Sequence, residues 1–203
     1  MAGIQLIIWD IGGVLVRTEN HKPRQRLADR YGMARGELEQ IVFGGTEDNP
    51  AQLGFISYEQ HWRNLALRFG LDEKQTAAFR DQFFGGDVVD RELARVIRHL
   101  GRDHSVAALS NAFSNMRTMM KDVWKIADLF YPIIISAEVG LMKPDPAIYR
   151  LALERSGCKA EETVFIDDSA INVEAAEDIG MNGIQFLSRQ QTLNELADVL
   201  GEW

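Results

Sequence analysis

The chain lacks most of what would place it outside the cell, in a membrane or on a nucleic acid. Its 203 residues include one cysteine, Cys158, which has no partner for an internal disulfide. The opening Met1-Ala2-Gly3-Ile4-Gln5 has no basic segment, apolar run or cleavage pattern of a secretory signal. A reducing, cytoplasmic location is therefore expected. No stretch approaches the roughly twenty apolar residues that span a bilayer, so no membrane partner is expected. Lys and Arg number 22 against 30 Asp and Glu, and the formal net charge of −8 argues against the broad basic footprint that nucleic acid requires. A locally positive pocket for a small anion remains compatible with that charge. Neither Cys158 nor His61 has a second ligand at metal-binding spacing, and the sequence shows no internal repeat or low-complexity segment.

What is present is an ordinary globular composition, 46% hydrophobic and 26% charged, enough for one domain or one domain carrying an insertion. The apolar run Ile4, Leu6, Ile7, Ile8, Trp9 stops at Asp10 and continues as Ile11-Gly12-Gly13-Val14-Leu15. That pattern is a buried strand delivering a carboxylate into a flexible turn, where open α/β sheets collect their functional groups. Helical patterns follow at 23–31, 35–43, 57–69, 72–83 and 88–100, and the next strand begins only at Ser105. A crossover between neighbouring strands needs one helix, so the extra four imply an inserted helical unit. We place this cap at 16–85 and the core at 1–15 and 86–203, with the Gly12-Gly13 turn and Gly85-Gly86 as hinges of a candidate lid.

From residue 105 strands and helices alternate: strand 105–109, helix 112–122, strand 131–135, helix 146–156, strand 164–166, helix 170–179, strand 183–186 and helix 189–200. The fold class is α/β, a Rossmann-like parallel sheet of at least five strands with helices on both faces and an inserted all-helical cap. Parallel strands bring their carboxyl ends to one rim. Asp10 ends the first, Ser110-Asn111 the second, the third leads to Lys143, and the fourth ends at Asp167-Asp168. Singly, each has a structural explanation as a cap, a turn or a solvated charge. Together, three aspartates on one rim call for a cation, and hard carboxylate oxygens without a histidine or cysteine cluster suit Mg²⁺. A carboxylate, a divalent metal, a lysine and two small polar residues are the parts of phosphoryl transfer to an aspartate, with water as final acceptor.

The ordered motifs resemble the haloacid dehalogenase superfamily, in the class with a helical cap after the first motif. Ile7-Ile8-Trp9-Asp10-Ile11-Gly12-Gly13-Val14-Leu15 resembles its first motif and Ala108-Leu109-Ser110-Asn111 its second. Gly140-Leu141-Met142-Lys143-Pro144-Asp145-Pro146-Ala147-Ile148-Tyr149 resembles the third, and the stretch from Val164 through Asp167-Asp168 to Asn172 and Ala176 the fourth. The resemblance implies Asp10 as nucleophile and metal ligand, the Gly12 carbonyl and Asp168 as further ligands, and Asp167 as a direct or indirect one. It implies that Ser110 and the Asn111 backbone bind phosphate, that Lys143 pairs with Asp10 and the phosphate, and that Mg²⁺ is the cofactor. The partner is then a small phosphorylated metabolite.

Two positions depart from the pattern. Asn172 stands where many family phosphatases have an acid, and Gly12 stands where most have the aspartate that protonates the leaving oxygen. Such acid/base help is worth about a hundred- to ten-thousand-fold, and it matters least for weakly basic leaving groups. The Gly-containing first motif with a closing Asp-Asp-x-x-x-Asn is similar to sugar-1-phosphate phosphatases, so glucose 1-phosphate is the expected substrate. Two alternatives stand beside it: a 2-haloacid dehalogenase using Asp10 on carbon without metal, and a non-catalytic phosphate-binding module. Glu19, Glu47, Asp48 and Glu59 are cap carboxylates that could replace the missing acid. Phe43, Gly44, Gly45 and the 47–55 loop are expected near the site, Trp62 and Phe69 in the cap core, and His61 at the surface; Cys158 is not expected to take part in catalysis.

Overall fold

A computed structural model describes residues 3–44 and 49–201. Strand β1 (Leu6–Trp9) leads to β2 (Val16–Thr18), then to helices α1 (Lys22–Arg30), α2 (Arg35–Phe43), α3 (Tyr58–Phe69) and α4 (Glu73–Phe84). Strand β3 (Asp87–Val89), helix α5 (Arg91–Leu100) and strand β4 (Ser105–Ser110) follow. A short α6 (Met116–Thr118) runs into a π-helical turn over Met119–Val123. Then come β5 (Ile133–Ile135), α7 (Ser136–Val139), α8 (Pro146–Ser156), β6 (Thr163–Asp167), α9 (Ala170–Glu177), β7 (Asn182–Gln185) and α10 (Arg189–Leu200).

The main sheet is parallel throughout, in the order β5-β4-β1-β6-β7. Its centre is β1, all four residues of which are buried. In register, Trp9 lies opposite Ala108 on one side and Ile166 on the other, so the residues just beyond these strands meet at one rim. Alternation sorts the side chains by face. Ile7, Trp9, Val106, Ala108, Val164 and Ile166 pack with Leu93 and Ile97 of α5 and Leu196 of α10. Leu6, Ile8, Ala107, Leu109 and Phe165 pack with Ile148, Tyr149 and Ala152 of α8 and Ala176 of α9. Helices thus cover both faces. Each fully buried aliphatic or aromatic side chain contributes about 1.5–3 kcal/mol, so this two-sided core fixes the rim rigidly.

Helices α1–α4 close on a separate core of Leu27, Ala28, Leu38, Val42, Trp62, Leu65, Phe79 and Phe83. Phe69 packs against it, as the face pattern of its helix implies. Caps define the helices. The Ser57 hydroxyl accepts the Gln60 backbone N–H, while the Gln60 side chain turns to Asn64, so only half of a capping box forms at α3. The full capping box belongs to Asp72 and Gln75 at the start of α4.

The structure departs from the sequence reading in three places. Residues 16–18 and 87–89 form an antiparallel ribbon, with Val16 opposite Val89 and Thr18 opposite Asp87. The expected helix 88–100 therefore starts at Arg91, where Asp90 accepts the Glu92 and Leu93 N–H groups. Gly86 carries no side chain because a Cβ there would lie 1.9 Å from the Asn20 carbonyl oxygen. The helix expected at 112–122 begins at Met116 instead, since Asn111 and Ala112 are engaged by Lys143 and Ser136. His61, expected at the surface, is buried with Nε2 2.8 Å from the Val42 carbonyl oxygen and its ring 4.8 Å from that of Phe113.

Candidate active site

Three strand ends supply the site. The Asp10 N–H donates to the Ile166 carbonyl at 2.8 Å, continuing the β1–β6 ladder one residue beyond the strand and fixing the carboxylate at the rim. Lys143 arrives from the loop after α7 and is buried. Its ammonium lies 3.0 Å from Asp10 Oδ1 and 2.5 Å from Asp167 Oδ2, and donates to the Leu109 carbonyl at 3.0 Å. The Asn111 side chain holds this loop from both sides: its amide donates to the Lys143 carbonyl and its oxygen accepts the Lys143 N–H, each at 2.8 Å. Buried polar groups are stable only when paired in this way.

The two neighbouring aspartates differ sharply. Asp167 is fully buried, and its Oδ1 accepts the Ser169 N–H at 2.9 Å and the Asn172 amide at 3.0 Å. With Lys143 on Oδ2, both oxygens are engaged. Asp168 instead opens on to the cavity, its carboxylate packed against the Cα of Gly13. Asp10, Asp167 and Asp168 offer oxygens within 4.8 Å of one another. Three carboxylates against one ammonium leave an excess of negative charge, and the buried Asp10 Oδ1 receives no directed hydrogen bond. Burial raises the Asp10 carboxyl, Lys143 draws it down, and the charges of Asp167 and Asp168 raise it again, leaving it at about 7. Desolvation and then the Asp167 charge raise Asp168 as well. A hard divalent cation fits this donor set, held by Asp10 and Asp168, because it would supply the missing positive charge to all-oxygen ligands.

Gly13 lets this happen. Its φ is +80°, and a Cβ would sit 2.2 Å from a carboxylate oxygen of Asp168. Gly13→Ala is expected to cost about 1–3 kcal/mol in backbone strain and to lower divalent-cation affinity by about ten- to a hundredfold. Urea unfolding and a magnesium titration followed by melting temperature would measure the two effects.

A cavity of about 900 Å³ opens above the cluster, floored by Asp10, Gly12, Gly13, Ser110, Lys143 and Asp168. Its far wall combines residues of the helical insertion with those of the 113–124 segment.

A family model for haloacid dehalogenase-like hydrolases matches residues 4–180, and a sesquiterpene phosphatase of Aspergillus oryzae is 31% identical over 199 residues, covering 96% of this chain and 95% of the relative. The chain belongs to the haloacid dehalogenase-like hydrolases. Among solved structures, a HAD-like family hydrolase from Porphyromonas gingivalis superimposes with a TM-score of 0.80 at 24% identity, over 100% of both chains. A HAD family enzyme from Bacteroides thetaiotaomicron, crystallised with magnesium and inorganic phosphate, gives a TM-score of 0.74 at 22% identity over 90% of this chain and 94% of its own.

In this hydrolase the residues singled out by sequence come together: Asp10, Gly12, Ser110, Asn111, Lys143 and Asp168 all line the cavity, as does Asn172. Asp167 backs the lysine rather than facing the space. The cap expectations divide. Phe43 and Gln52 line the cavity, whereas Glu19 pairs with Arg17 and Glu59 accepts from Ser57 at the surface. Gly45, Glu47 and Asp48 lie outside the described residues. Cys158 is half-buried and away from the cavity lining, and burial raises its thiol pKa. Sequence reasoning did not find much of the wall, including Arg24, Tyr58, Arg80, Phe113, Met119 and Trp124. Phe113 was the one with a usable signal, standing three residues beyond Ser110.

Proposed function

We propose that this hydrolase is a Mg²⁺-dependent phosphatase acting on a small phosphorylated metabolite through an aspartyl phosphate on Asp10. The observation that carries the reading is the Asp10–Lys143–Asp168 cluster on the cavity floor, with a buried nucleophile oxygen held 3.0 Å from an ammonium. The Asp10 carboxylate attacks phosphorus, the bond from phosphorus to the leaving oxygen breaks, and that oxygen takes its proton from solvent water. Water then attacks phosphorus, releasing inorganic phosphate and restoring the carboxylate. The Lys143 ammonium balances charge gathering on the phosphoryl oxygens, and the Ser110 hydroxyl donates to one of them. Asn111 keeps Lys143 aimed by clamping its backbone. Asp10, the Gly12 carbonyl and Asp168 would hold Mg²⁺, which would neutralise charge on the phosphate and favour the ionised form of Asp10.

A metal-free dehalogenase has little use for three clustered carboxylates, because they would repel the carboxylate of a haloacid. The assay separates the readings: p-nitrophenyl phosphate should be hydrolysed and EDTA should abolish turnover, with no halide released from 2-chloropropionate. Halide release without magnesium would establish the dehalogenase instead. Magnesium-dependent binding without turnover would establish a non-catalytic module.

Gly12 bears on the substrate. Among the described residues, a Cβ at this position meets nothing within 4 Å, so there is room for a side chain here. The missing acid matters least for weakly basic leaving groups, and an anomeric sugar phosphate such as glucose 1-phosphate is one class that supplies them. An apolar alcohol is the competing class, supported by the sesquiterpene phosphatase of A. oryzae and by the cavity wall. Because the space is open, Gly12→Asp should fold normally and raise kcat for alkyl phosphates about a hundredfold. Unchanged or lower kcat would mean that another group already transfers the proton.

A further inference from the structure

We infer that the site takes monophosphates of large apolar alcohols, with Phe113 as the residue that begins the apolar wall. This rests on the phosphatase reading and specifies its substrate class. Beyond the phosphate end, the cavity presents Phe43, Phe84, Phe113, Met116, Met119 and Trp124. The Phe113 ring stacks with that of Phe43 at 6.5 Å and an interplanar angle of 14°, and lies 5.9 Å from that of Tyr58. It therefore joins the helical insertion to the loop that carries Ser110, and an alcohol leaving from the phosphate passes directly on to an apolar surface.

The charged groups around the cavity are occupied with one another. Arg24 donates to the Phe83 carbonyl at 3.0 Å, to Glu39 at 3.2 Å and to both oxygens of Asp87 at 2.8 and 3.1 Å. Thr18 donates to Asp87 at 2.6 Å, and Arg80 lies 3.9 Å from Asp81. Among the described residues this leaves His21, Gln52, Tyr58 and Asn115 as polar side chains of the wall without a side-chain hydrogen bond, and Arg80 with only the distant Asp81. A sugar hydroxyl set against the aromatic and thioether part of the wall would lose its water without gaining a partner. The volume of about 900 Å³ is near the upper end for small-molecule sites. Thioether side chains adapt to irregular apolar shapes, and the π-helical turn presents Met119 to the cavity directly after Met116 on α6.

The test compares acetyl phosphate, glucose 1-phosphate and farnesyl monophosphate on the magnesium-loaded wild type, with thermal-shift titrations of the two larger ligands on Asp10→Asn. The expected result is a kcat/KM for farnesyl monophosphate at least about a hundredfold above that for glucose 1-phosphate, and stabilisation of Asp10→Asn by the former at lower concentration. Met119→Gln and Phe113→Ser should each lower kcat/KM for the farnesyl ester about tenfold more than that for acetyl phosphate, whose acyl group is too small to reach the wall. Met119→Gln keeps the test open should Phe113→Ser fail to fold. Equal or better use and binding of glucose 1-phosphate would overturn the inference while leaving the phosphatase intact. Failure to turn over all three phosphates would instead remove the phosphatase reading, and the binding titration would still decide the ligand class.

Discussion

Lys143→Met is expected to lower folding stability by about 3–5 kcal/mol and phosphate-ester hydrolysis by about a thousandfold. The ammonium is sealed between Asp10 and Asp167 and also satisfies the Leu109 carbonyl. Methionine fills a similar volume but leaves two buried carboxylates without their counter-ion. Removing one partner of a buried pair costs far more than the pair was worth, because the remaining charge keeps its desolvation penalty. The sign of the pH dependence follows. With Lys143 in place Asp10 is already raised to about 7, because burial outweighs the lysine that draws it down. Without the lysine the folded protein binds the Asp10 proton more tightly still. Both metal-free proteins should therefore lose stability as pH rises towards 7, but the variant should go on losing it between about pH 7 and pH 9, where wild-type Asp10 is already ionised, widening its deficit there. Urea unfolding across that range measures it. A deficit independent of pH would mean that lost packing, rather than stranded charge, is responsible.

Asp10→Asn should abolish turnover, by about ten-thousandfold or more, while leaving the fold intact. The amide is isosteric, and Asp10 is anchored by its backbone bond to Ile166 rather than by its side chain. Removing one of three clustered negative charges should leave the metal-free protein at least as stable as the wild type and weaken the stabilisation it gains from magnesium. Circular dichroism, melting with and without magnesium, and phosphate release test the three parts. Retained turnover would place the nucleophile elsewhere.

The rim was legible in the sequence because each contributing strand ends abruptly in a polar residue, and parallel topology leaves such ends one place to go. Asp10, Ser110, Lys143 and Asp168 therefore meet where their motif spacing implies. The four inserted helices were equally legible, since their apolar spacing and caps are local signals. The β2–β3 ribbon was not. Its strands are three residues long and lie 69 positions apart at their closest, too far for any local pattern to reveal. Residues 112–115 read as helix because nothing local shows that Ala112 donates to Ser136. The same holds for His61, whose burial depends on Val42 and Phe113. The distinction between Asp167 and Asp168 also needed three dimensions. Adjacent and identical in type, they separate only once Ser169, Asn172 and Lys143 are seen to occupy the first of them.

The central claim is that phosphate passes through Asp10, and the direct measurement is peptide mapping after acid quench. Magnesium-loaded wild type mixed with labelled acetyl phosphate should carry the label as an acid-stable, base-labile acyl phosphate on the peptide containing Asp10, and Asp10→Asn should carry none. Hydrolysis proceeding without label on that peptide, or label retained in Asp10→Asn, would contradict it.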